Sequence, residues 1–123
     1  MKIDFSSQVP IYHQIAQSIE NDIIRGIYEE ETQVPSTTEI SLNYKINPAT
    51  VAKGYNLLVD DEIIYKRRGV GMFVAIGAKR KLTDKRKKDF SKTYVRKLLE
   101  EADKLEITVD EIVEMIKGAD GNE

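Results

Sequence analysis

Residues 36–56 read Ser36-Thr37-Thr38-Glu39-Ile40-Ser41-Leu42-Asn43-Tyr44-Lys45-Ile46-Asn47-Pro48-Ala49-Thr50-Val51-Ala52-Lys53-Gly54-Tyr55-Asn56. Two helix-start signals stand close together in this stretch. Ser36 followed by Glu39 has the form of a capping box, in which hydroxyl and carboxylate each satisfy a backbone N–H of the first turn. Asn47-Pro48 is a second start, with Asn as cap and Pro in the first turn, where its missing N–H costs nothing. Only a few residues separate Leu42, the last apolar position expected of the first helix, from that second start. The spacing predicts a helix-turn-helix, the arrangement that puts its second helix into the DNA major groove.

The flanking segments fit that reading. Ile11, Ile15, Ile19 and Ile23 recur at every fourth residue and predict a helix from Pro10 to Arg25, with Tyr12, Ala16 and Ile24 widening its apolar face and Gly26 as a left-handed stop. The helix-turn-helix follows as Ser36 to Tyr44 and Asn47 to Asp60, with Val51, Tyr55 and Leu58 on the inner side of the second helix. Two β-prone runs then flank Gly69 and Gly71, which reads as a hairpin with Arg67 and Arg68 at its tip. Helix, helix-turn-helix and basic-tipped hairpin, in that order, make a winged helix. Beyond it, Phe90, Tyr94, Leu98 and Ala102 lie four apart, and Thr108 with Glu111 repeats the capping-box form before Ile112, Val113, Met115 and Ile116. Gly118 is the expected stop of that last helix, and residues 118–123 are expected to fray. The predicted fold is mainly α with a small β hairpin. A winged helix-turn-helix domain over residues 1–77 is followed by a two-helix tail over 78–123, and the tail's apolar stripe needs a partner.

Composition narrows the class. The chain has 123 residues, 41% of them hydrophobic and 33% charged, which suits one small domain with an appendage. Without cysteine, disulfides and thiolate metal sites are excluded. No apolar run approaches the ~20 residues of a membrane span, and the start lacks a signal peptide's apolar stretch, so a cytoplasmic protein is expected. The net charge of −2 conceals an asymmetry: residues 79–97 hold 10 basic and 2 acidic side chains, and residues 98–123 hold 2 basic and 9 acidic. An acidic whole therefore does not exclude nucleic acid, because phosphate responds to the local patch.

The order of motifs resembles the amino-terminal domain of the GntR family of bacterial transcription factors. The resemblance rests on Pro10-Ile11-Tyr12-His13-Gln14-Ile15, Ile24-Arg25-Gly26, Val34-Pro35-Ser36, Asn47 to Tyr55, and Arg67-Arg68-Gly69-Val70-Gly71-Met72-Phe73-Val74, and it covers roughly residues 8–76. The short helical tail is similar to that of the YtrA-type branch. That resemblance implies a dimer formed through two tail helices and, often, control of ABC transporter genes. The sequence departs from the family pattern at Thr38, where arginine is usual, and at Glu30-Glu31, where Pro-Gly is usual. It departs again at Glu62, usually glycine, and at Gly54, usually alanine.

The expected DNA-binding residues are Ser36, Thr37 and Thr38 at one helix start, Asn47, Ala49, Thr50 and Lys53 at the other, and Arg67, Arg68 and Gly69 at the wing. Asn47 reads first as a cap, and Lys66 as a solvated strand residue. The expected dimerisation residues are Phe90, Tyr94, Leu98, Leu105, Ile112, Val113 and Ile116. The basic run from Lys79 to Lys97 has three readings: a flank for DNA, a partner for the acidic tail of a second subunit, or soluble surface. A lone His13 makes no convincing metal site, Gly69-Val70-Gly71 lies in a hairpin rather than between strand and helix, and no nucleophile–base arrangement is visible. No catalytic site and no cofactor are therefore expected. The resulting reading is a homodimeric repressor of double-stranded DNA with an inverted-repeat operator. The alternatives are a winged helix used for protein contacts and a sensor whose dimer is controlled by a small-molecule effector, a metabolite or a metal, bound between tail and wing domain, for which the tail is short.

Overall fold

Isoleucine at every fourth position shapes the first helix, α1 (Ile11–Ile24), whose Ile15, Ile19 and Ile23 are buried together with Ala16. The structure, a computed structural model, describes residues 1–121. It continues with α2 (Thr37–Tyr44), α3 (Pro48–Asp60), the strands β1 (Ile64–Arg67) and β2 (Gly71–Val74), α4 (Ala78–Phe90), a π-helical turn Ser91–Val95, α5 (Arg96–Lys104) and α6 (Val109–Gly121). This is the mainly α architecture with a small antiparallel hairpin expected from the sequence. It forms two compact units, Met1–Asp84 and the segment from Lys85 onward.

Both helix starts of the quoted stretch are built as expected. The Glu39 N–H donates to Ser36 Oγ at 3.0 Å while the Ser36 N–H donates to Glu39 Oε1 at 3.1 Å. Asn47 Oδ1 accepts from the Ala49 N–H at 2.8 Å. Such caps are each worth about 0.5–2 kcal/mol. Leu42, however, does not face the core: it is 73% exposed. Ile40 is the residue of α2 that is buried, and a position two residues on lies about 200° around the helix from it.

Helix α3 packs against both α1 and α2. Its Val51, Gly54, Tyr55 and Leu58 are buried. Gly54 is the close-approach point, because a β-carbon there would lie 2.7 Å from the Tyr12 carbonyl oxygen and 3.3 Å from Ile15 Cβ. The Tyr55 hydroxyl donates to the Pro35 carbonyl at 2.5 Å and so ties α3 to the residue preceding α2. Burial, followed by the nearby Tyr28 and Glu39, pushes this hydroxyl's pKa well above the ordinary tyrosine value. The group therefore stays a neutral donor.

The hairpin pairs Ile64 with Val74, Tyr65 with Phe73, Lys66 with Met72 and Arg67 with Gly71. A segment expected to be a plain connection joins it: Gln33 bridges Phe73, the Val34 N–H donates to the Met72 carbonyl at 2.9 Å, and the Val74 N–H donates to the Thr32 carbonyl at 3.0 Å. The wing is thereby attached to the chain that precedes α2.

The first unit also runs past the expected boundary at residue 77. Ala78 and Leu82 of α4 are buried in its core, so the first turns of α4 belong to it. Glu30 accepts from the Lys79 N–H at 3.3 Å, and Lys81 Nζ donates to the Asp61 carbonyl at 2.8 Å. Part of the basic run thus anchors this helix rather than standing free.

In the second unit, the Thr108–Glu111 capping box is formed, with bonds of 2.9 and 3.2 Å. The hydrogen bonds it makes favour the ionised carboxylate and hold Glu111 below the usual carboxylate range. Helix α6 does not stop at Gly118 but continues to Gly121. An interior glycine costs a helix only about 1 kcal/mol relative to alanine and need not end it. The expected stop at Gly118 is therefore not found, and Asn122 and Glu123, the last of the residues expected to fray, lie outside the described residues.

Candidate nucleic-acid interface

The inner and outer faces of α3 are cleanly separated. Opposite the buried Val51, Tyr55 and Leu58, Ala49 and Lys53 are exposed and Thr50 is half-buried near the helix start. Lys53 does not wander freely: its ammonium sits 4.2 Å from the centroid of the Tyr12 ring. A cation over an exposed aromatic face is worth about 0.5–1 kcal/mol, enough to bias where the charge is presented. Asn47 is spent on its own cap, as expected, which leaves the N-terminal N–H groups of α3 as the anion-facing feature there.

At the start of α2, Ser36 and Thr37 are half-buried and Thr38 is exposed. Ser36 is occupied by the capping box, so Thr38 is the side chain with the most freedom to meet a ligand.

The wing divides its two arginines. Arg68 and Gly69 are exposed at the tip. Arg67 instead turns back onto the sheet, with its guanidinium carbon 4.1 Å from the Phe73 ring centroid and its Nη2 donating to the Tyr65 hydroxyl at 2.8 Å. Gln33 grips the tip from below through a 3.0 Å bond from Nε2 to the Val70 carbonyl. Gly71 sits at φ 146°, a backbone that residues with a β-carbon rarely adopt, and a β-carbon there would fall 2.3 Å from that same Gln33 nitrogen, so the Gln33 side chain would have to leave its place. Gln33 and Glu31 were missed as wing-positioning residues because they lie in a connection with no periodic signal. The aromatic under Lys53 is Tyr12, which the sequence offers as part of the apolar face of α1.

Among the departures from the resembled pattern, Glu31 and Glu62 stand where glycine is usual. Both adopt the left-handed backbone that glycine favours, at φ 65° and 59°.

The tail presents a different surface. Phe90, Tyr94, Leu98, Leu105, Val113 and Ile116 are exposed, each by 39% or more. The Phe90 and Tyr94 rings touch at a tilt of 48°, with centroids 5.3 Å apart. A stripe spaced by four drifts about 40° per step around an α-helix. The π-helical turn that contains Tyr94 takes more residues per turn and so counters the drift. Ile112 is a correction: it is only 6% exposed and Ala102 only 5%, so neither contributes to the open apolar face.

Residues 11–74 match the model for bacterial regulatory proteins of the gntR family. The chain belongs to that family. It is 31% identical to the HTH-type transcriptional repressor YtrA of Bacillus subtilis over 95% of this chain and 89% of that protein. The crystal structure of a putative transcriptional regulator of the GntR family from Bacteroides thetaiotaomicron superposes with a TM-score of 0.71 at 40% identity, covering 87% of this chain and 93% of that one. The DNA-binding domain of AraR in complex with its operator ORE1 matches 61% of this chain and 94% of its own, with a TM-score of 0.53 at 25% identity. This GntR-family protein is a DNA-binding transcriptional regulator, not an enzyme. Among its described residues no helix is long and apolar enough to cross a membrane.

Proposed function

We propose that the protein is a homodimeric repressor that recognises an inverted-repeat operator. Helix α3 lies in the major groove, with Ala49 and Thr50 against base edges and Lys53 against phosphate or base. Asn47 and the start of α2, with Ser36, Thr37 and Thr38, face the backbone, and Arg67, Arg68 and Gly69 of the wing meet the flanking phosphates. Phe90, Tyr94, Leu98, Leu105, Val113 and Ile116 join two copies. The observation that carries this reading is the two-faced α3, whose inner residues are buried while Lys53 is held outward over Tyr12. The similarity over nearly the full length to a protein named as a repressor supports the outcome, repression, and supports a place in the YtrA-type branch. The branch in turn suggests transporter genes as targets.

The test is selection of bound fragments from genomic DNA, followed by mobility shifts on the selected duplex. Lys53→Ala and Arg68→Ala are each expected to weaken binding by about five- to a hundredfold, the loss of about 1–3 kcal/mol of contact; Arg68→Ala should leave the melting temperature unchanged, and Lys53→Ala should lower it only by the few degrees that its contact with Tyr12 accounts for. Wild-type affinity in both variants overturns the site assignment.

A further inference from the structure

The wing's first arginine is held by a built arrangement. Its Nη2 lies 3.7 Å from Glu31 Oε2, and its Nε and Nη2 donate to the Tyr65 hydroxyl at 3.2 and 2.8 Å. The Tyr65 hydroxyl in turn donates to Glu31, and Phe73 forms the floor of the stack. The carboxylate is delivered by backbone that the sheet fixes, since the Glu31 N–H donates to the Val74 carbonyl at 2.8 Å. Arg68, the next residue, makes no such contact. Arg67 is the last residue of β1, on the same face as Tyr65 two positions earlier, whereas Arg68 already belongs to the turn, so only one of the two arginines meets Glu31.

Resting on the reading above, we propose that Glu31 is an affinity-setting residue of the wing: its carboxylate competes with the DNA backbone for Arg67. A phosphate can take Arg67 only by drawing it away from the carboxylate and the ring. Glu31 is itself an uncompensated negative charge once the guanidinium leaves. Wild-type protein thus engages DNA with one wing arginine fully and the other at a cost.

The experiment is a salt titration of duplex binding with full-length protein, comparing wild type, Glu31→Gln, Arg67→Ala and the double variant on a duplex selected by the wild type. Glu31→Gln is expected to tighten binding by about three- to tenfold, in keeping with an exposed ion pair and its stack. The log–log salt slope should steepen by about 0.9, the mark of one more phosphate neutralised. In the Arg67→Ala background the gain should vanish. A gain that survives without Arg67 would mean general repulsion by Glu31, and an unchanged affinity and slope would mean no competition; either overturns the proposal while Lys53→Ala still reports on the interface. If Glu31→Gln lowers the melting temperature, Tyr65→Phe, which removes only the bridging hydroxyl, should tighten binding in the same direction by a smaller factor, and its failure to do so sinks the idea. Wild-type protein that selects no duplex at all removes the underlying function and this inference together.

Discussion

Ile15, Ile19, Ile23, Val51 and Leu58 in the first unit are at most 1% exposed, whereas Phe90, Tyr94, Leu98, Leu105 and Ile116 in the second expose between 45 and 64%. Both sets are apolar, and all of these residues but Leu105, which caps α5, lie on helices. The first set closes on itself, because three helices and a hairpin surround it. The second set lies in the segment from Lys85 onward, where the only buried residues among those described are Ala102 and Ile112. Contiguous apolar surface of this kind marks an interaction site. The contrast assigns different work to the two units: one is finished by its own chain, and the other is finished by another molecule, which we take to be a second copy.

The largest effect expected from this contrast is on association. Tyr94→Asp combined with Leu98→Asp should weaken the dimer by on the order of a hundredfold or more, since each apolar side chain carries about 1.5–3 kcal/mol when buried. Sedimentation should then show monomers with the first unit still folded. A dimer that persists places the interface on another surface. Next in size, Ile19→Ala should cost about 2–5 kcal/mol of unfolding free energy by opening a cavity in a core that is fully closed. Leu98→Ala, measured at concentrations where the chain is monomeric, should stay within about 0.5 kcal/mol. Urea unfolding of the two variants checks the pair, and equal losses would mean that the tail has a core of its own comparable with the first.

The same contrast explains what was legible in the sequence. Ile11 to Ile23, the Ser36–Glu39 box and Asn47-Pro48 are local signals, and each produced the element it announces. The Gly69–Gly71 hairpin was equally local. What escaped needed contacts between distant positions. Leu42 counts as apolar in any pattern, yet only the placement of α2 against α3 leaves Ile40 inside and Leu42 outside. The domain boundary moved because Ala78 and Leu82 follow a basic, tail-like composition but fill a gap in the first core. Arg67 and Arg68 are indistinguishable as neighbours in sequence. Glu31, thirty-six positions before Arg67, is what separates them.

Glu62 offers the finest test of how that first unit is held. It turns the chain from α3 into β1 at φ 59°, a backbone that costs a residue with a β-carbon roughly 1–2 kcal/mol. Its side chain returns little, because the pair with Lys81 is 3.9 Å long and exposed, and such pairs contribute about 0–1 kcal/mol. Lys81 also keeps its bond to the Asp61 carbonyl without Glu62. Glycine would give back about 0.5–1 kcal/mol in lost chain entropy, so Glu62→Gly should stabilise by a few tenths of a kcal/mol up to about 1 kcal/mol. The matched change Glu31→Gly relieves the same backbone but removes the carboxylate that holds Tyr65 and Arg67, so its gain should be smaller. Urea midpoints at constant slope decide between them. If Glu62→Gly is the less stable of the two, the left-handed turn is not where the strain resides, and the ion pair to α4 contributes more than its length and exposure allow.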